Sequence, residues 1–126
     1  MANILVVDDE EDLRELLNDL LVGHGHTVTL AANGSQGIAC LARPAHGFDL
    51  VITDMYMPER DGLEVVMTCA RQKLPVIAMS GGGSERAAHF DALPTASLLG
   101  AVTTIHKPFT MEYMAAVVDT VLKLQG

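Results

Sequence analysis

Basic residues are scarce in this chain. Its 126 residues hold eight Lys and Arg against sixteen Asp and Glu, a formal net charge of -8. Proteins that grip bare nucleic acid rely on Lys and Arg to neutralise phosphates, so no direct nucleic-acid partner is expected. Cysteine is scarcer still. Cys40 and Cys69 sit in apolar helical patterns without metal-ligand spacing, and they read as reduced core thiols. No apolar run approaches the roughly 18 residues needed to span a bilayer. Met1-Ala2-Asn3 leads straight into Ile4-Leu5-Val6-Val7, without the pattern of a signal peptide. The expectation is a soluble, cytoplasmic protein with no membrane insertion. Repeats, low-complexity tracts and linkers are missing as well, and the length suits one domain over residues 1–126 with no output module.

What the chain does contain is alternation. Asn3 to Asp8 is a short apolar run, after which Leu13, Leu16, Leu17, Leu20 and Leu21 form the stripe of an amphipathic helix ended by Gly23 and Gly25. Thr27 to Ala31, Leu50 to Thr53, Pro75 to Ser80 and Val102 to His106 read as further strands. Between and after them, Gly34 to Arg43, Gly62 to Gln72, Ser84 to about Leu99 (broken at Pro94) and Thr110 to Leu124 read as helices. Such β/α repetition predicts an α/β fold, a doubly wound five-stranded parallel sheet with helices on both faces.

In a parallel sheet all C-terminal strand ends share one edge, and ligands bind there where strand order reverses. Those ends carry Asp8 and Asp9, Asp54, Ser80 and Lys107. Strand two instead ends in Ala31-Ala32-Asn33, which suits a border position in the order 2-1-3-4-5. With strands about 4.8 Å apart, a Lys two strands from Asp54 can largely cover the gap of about 10 Å. Clustered carboxylates repel one another unless a cation joins them. Oxygen ligands without His or Cys favour Mg²⁺. A divalent ion and an ammonium suit a phosphoryl group, with Ser80 as donor and one carboxylate as nucleophile.

Each residue also has a bland reading. Asp8 and Asp9 ahead of Glu10-Glu11-Asp12 would suit a helix start, and Asp54 could cap a loop. Ser80-Gly81-Gly82-Gly83 could be only a joint; it is no Walker loop, since no Gly-Lys-Ser/Thr follows. A lone Lys107-Pro108 is usually surface. Their coincidence at adjacent strand ends is what favours a site.

The motifs "VVDDE", "DMYMPERDG", "MSGG" and "HKPF", in that order, resemble those of the receiver domain of two-component response regulators, a CheY-like, flavodoxin-like fold, over essentially the whole chain. The resemblance implies that Asp54 accepts a phosphoryl group from a histidine kinase or histidine phosphotransfer protein. It implies Mg²⁺ held by Asp8 and Asp9, with Asp9 the direct ligand, beside Asp54 and the main-chain carbonyl of Tyr56. Ser80 and Lys107 would contact the new phosphate, and Lys107-Pro108 would be cis. The output would be binding of a downstream protein, as a switch or a relay, with no turnover of a separate substrate.

Three features depart from the family pattern or vary within it. Thr104 stands where an aromatic switch residue is usual. The 27 positions from Ser80 to Lys107 are long for the family, and predict an altered fourth helix. Tyr56 and Gly82 occupy positions that tune acyl-phosphate lifetime. The stripe Met111, Met114, Ala115, Val118, Val121 and Leu122 reads as core, while Tyr113 and Val117 mark a partner or weak homodimer surface shared with the fourth helix and fifth strand. Two rivals stand: a degenerate receiver that binds without phosphate, and a haloacid-dehalogenase-like phosphohydrolase. The latter wants an Asp where Tyr56 stands.

Overall fold

The computed structural model describes residues 1–55, 62–81 and 103–125. Five strands, β1 (Asn3–Val7), β2 (Thr27–Ala31), β3 (Leu50–Asp54), β4 (Val76–Gly81) and β5 (Thr103–Lys107), form one sheet in the order β2-β1-β3-β4-β5. All pairings are parallel. The described helices are α1 (Glu11–Gly23), α2 (Gly34–Leu41), α3 (Gly62–Arg71) and α4 (Met111–Gln125). The expected α/β class, strand order and doubly wound form are those observed. The region Ser84 to Leu99, with Pro94, lies outside the described residues.

Strand alternation divides the core. Ile4, Val6, Leu50, Ile52, Ile77, Met79 and Ile105 pack on Leu17 and Leu21 of α1 and Met114, Val118 and Val121 of α4. Their neighbours Leu5, Val7, Val51, Val76 and Ala78 pack on the other face against Cys40 and Leu41 of α2 and Val65, Val66 and Cys69 of α3. Burial on both faces explains why the inner strands β1, β3 and β4 are apolar at nearly every position instead of every second one.

Helix α1 narrows the stripe read from its leucines. Leu17 and Leu21 are buried and Leu13 and Leu20 partly so, but Leu16 is 52% exposed. Leu16 instead borders an open groove of about 300 Å³ with Leu13, Pro108, Phe109 and Met111, beside Lys107. At α2, the Asn33 side chain accepts a hydrogen bond from the Gln36 N–H at 2.9 Å, and Gln36 Oε1 accepts from the Ala32 N–H at 2.7 Å. The polar residue after β2 is thus spent on capping. The border strand contributes nothing to the cluster described next.

Candidate functional site

The same two-residue alternation selects the site. Counting by two from Ile4 and Val6 reaches Asp8, from Leu50 and Ile52 reaches Asp54, and from Ile105 reaches Lys107. All three therefore leave the sheet edge on the α1/α4 side. Lys107 Nζ donates to Asp8 Oδ2 at 3.1 Å, to Asp54 Oδ2 at 3.0 Å and to Glu10 Oε1 at 3.0 Å. Asp8 and Asp54 are buried.

Local turn chemistry brings in Glu10. Asp8 Oδ1 accepts the Glu10 N–H at 2.8 Å, and the Asp8 carbonyl accepts from Arg14 at 2.8 Å. This Asx-type turn closes the chain tightly between β1 and α1. Glu10 sits at the N-cap of α1 with extended backbone and makes no side-chain cap bond, its carboxylate going to Lys107. Oxygens of Asp8, Glu10 and Asp54 all lie within 4.8 Å of one another.

Asp9 has the opposite parity. It is exposed, and among the described residues it is not part of that group. Ser80 is buried at the end of β4, one residue beyond Met79, the register partner of Asp54. Its own register partner is His106. Thr104 is half-buried on β5, in register with Ala78. The Lys107-Pro108 bond is cis. Tyr56, Gly82 and Gly83 lie outside the described residues, so the carbonyl ligand expected from Tyr56 does too. Glu10 is the member that the sequence reading passed over, although it shares the parity of Asp8.

Two glycines let backbones meet at the site. A Cβ on Gly62 would collide with the Asp54 carbonyl and come within 2.7 Å of Met55 Cα. Gly81 has φ +103°, and a Cβ there would lie 2.9 Å from the Lys107 carbonyl oxygen. The first lets the start of α3 lie on the end of β3. The second lets β4 run beside Lys107.

Burial sets the electrostatics. It pushes the Asp8 carboxyl up to about 6, against the pull of the Lys107 ammonium and the Glu10 N–H. Burial alone would push Lys107 down, but the Asp54 and Asp8 carboxylates, with the bonds to Glu10 and Asp54, outweigh it and hold the ammonium above its ordinary range. Lys107 therefore stays charged, and Asp8 is ionised at neutral pH. A set of hard carboxylate oxygens at this spacing fits Mg²⁺.

The family model described as response regulator receiver domain matches residues 4–119. The chain is 32% identical over 125 residues to sporulation initiation phosphotransferase F of Bacillus subtilis, covering 98% of this chain and 95% of that protein. It is 34% identical over 119 residues to regulatory protein VirG of Rhizobium rhizogenes, covering 93% of this chain and 47% of VirG. It thus spans under half the length of that relative. A response regulator receiver domain protein from Clostridium thermocellum has a similar solved structure, with a TM-score of 0.85 at 26% identity over 99% of this chain and 97% of that one.

Proposed function

The chain belongs to the response regulator receiver domain family, and from that premise we propose that it is a phosphorylation-controlled switch or relay whose acceptor is Asp54. The observation that carries this reading is one buried ammonium shared by Asp8 and Asp54 at the C-terminal edge of the sheet. Asp54 Oδ attacks the phosphorus of a phosphohistidine on a histidine kinase or histidine phosphotransfer protein. The P–N bond breaks, and the departing imidazole keeps its electron pair.

Lys107, already bonded to Asp54, pairs with the incoming phosphoryl oxygens, and Ser80 donates its hydroxyl to them. Asp8, Asp9, Asp54 and the Tyr56 carbonyl are the oxygens that would hold Mg²⁺. When bound, the ion supplies the positive charge that lets an anionic phosphoryl group approach carboxylates. The open groove bordered by Leu13, Leu16, Phe109 and Met111 lies beside Lys107 and offers a protein donor an apolar foothold.

Output is through binding of a downstream protein, with no separate substrate turned over. Tyr113 is 55% exposed on α4, which supports a partner or weak homodimer surface there with β5. Among the described residues no helix is long and apolar enough to cross a membrane.

The test is intact mass over time in Mg²⁺ and acetyl phosphate. The chain should gain one phosphoryl group, and Asp54→Asn should gain none. A gain that survives Asp54→Asn, or no gain in the parent, sinks the assignment. The rate of loss separates a durable switch from a fast relay, and Tyr56→Ala is expected to quicken it.

A further inference from the structure

Lys107 has no donor to spare. An ammonium carries three N–H groups and no acceptor, and here they go to Asp8, Asp54 and Glu10 at 3.0 to 3.1 Å. A phosphoryl oxygen arriving on Asp54 has to displace one of these acceptors.

The three differ in how easily they leave. The Asp8 side chain is fully buried, and its second oxygen is held by the Glu10 N–H. Turning it away would break that bond and strand a charge in the interior. Asp54, 7% exposed in its side chain, is itself the group that becomes esterified, and the oxygen it does not give to phosphorus remains a buried carbonyl acceptor for the ammonium. The Glu10 side chain is 58% exposed. It can swing into water with its hydration restored, and exposed ion pairs are weak.

We infer that Glu10 is a placeholder on Lys107: its carboxylate occupies the ammonium donor that a phosphoryl oxygen takes when Asp54 is phosphorylated, and it leaves for solvent as that group arrives. The inference rests on the receiver reading and adds to it a residue that restrains uptake. Glu10 is a positioning residue. It keeps the Lys107 head at the mouth of the pocket until the phosphoryl group replaces it.

Beryllofluoride, a non-covalent mimic of the phosphoryl group, is the probe, titrated at saturating Mg²⁺ and followed by backbone amide shifts. Glu10→Gln keeps the shape and removes the charge, so Lys107 is surrendered more readily. Affinity should rise about two- to fivefold, the range expected of an exposed ion pair. Glu10→Ala should rise at least as much, and the rate of phosphorylation by acetyl phosphate should rise in parallel. Glu11→Gln, which removes the same charge from an exposed neighbour on α1, is the control and should move neither.

Affinity that is unchanged or weakened in both Glu10 variants overturns the inference, and weakening would make Glu10 a metal ligand first. An equal rise in Glu11→Gln also overturns it, since the effect would then be net charge. A parent chain that takes up neither beryllofluoride nor phosphoryl brings down the receiver reading, and the inference with it.

Discussion

Lys107 Nζ lies 3.0 Å from Asp54 Oδ2, although strand β4 separates the strands that carry them. The Lys side chain spans two strand spacings of about 4.8 Å each and has its charge at the far end, where two buried acids need it. Both side chains are 7% exposed. The pair is therefore shielded from solvent, and its energetics follow the rules for buried charge.

Replacing Lys107 by Met should leave Asp8 and Asp54 adjacent without a counter-charge. Breaking one side of a buried pair typically costs about 3 to 5 kcal/mol, so stability at pH 7 in chelator should fall by that order in urea denaturation. The Asp8 carboxyl, already pushed up to about 6, should titrate higher still by carbon NMR. The stability loss should shrink as pH falls toward 6, because Asp8 of the variant takes up its proton above that point and so loses one of the two charges before the parent does.

Asp8→Asn should stabilise the fold while abolishing uptake of the phosphoryl group. The folded Asp8 holds its proton more tightly than the unfolded one, so its contribution to stability falls as pH rises from about 4 through 6. The rise from 3.8 to about 6 corresponds to about 3 kcal/mol above that window. Thermal unfolding in chelator should give Asp8→Asn a gain of roughly 1 to 3 kcal/mol at pH 7 that fades toward pH 4. A variant less stable than the parent at pH 7 would contradict this reading of the site.

Gly62→Ala should cost about 2 to 3 kcal/mol, because the added methyl has only backbone to push against at Asp54 and Met55. Gly81→Ala adds a left-handed backbone conformation, φ +103°, to its crowding of the Lys107 carbonyl. Its cost should be similar, and it should also slow phosphorylation by shifting Lys107. Denaturant midpoints and acetyl phosphate kinetics measure the two effects.

Neither thiol should react in the native protein. Cys40 and Cys69 are buried, and burial pushes the Cys69 thiol up to about 12. Iodoacetamide at pH 8 should label Cys69 only at the rate of opening, and both residues promptly in denaturant, as read by intact mass.

Much of the fold was legible because its signals are local. Apolar runs bounded by Gly, Pro and Asn marked β1 to β5 within a residue or two of their observed ends. The missing site residue after β2 pointed to a border strand, and Asn33 does cap α2 there. The leucines of α1 were harder. Five fall on one helical stripe, but the contact with the sheet fully buries only Leu17 and Leu21, since the width of a helix's buried face depends on what it packs against.

The sequence by itself determined the parallel sheet, its order and the strand ends at which Asp8, Asp54, Ser80 and Lys107 stand, because periodicity and chain direction dictate these. Only the tertiary structure decided that Asp8 and Glu10, with Asp9 turned outward, close on Lys107 together with Asp54. That choice depends on which face of the sheet each side chain leaves by and on how the Asp8 turn folds back. Pairing register and packing set both, and neither is written in residues 8 to 10 alone.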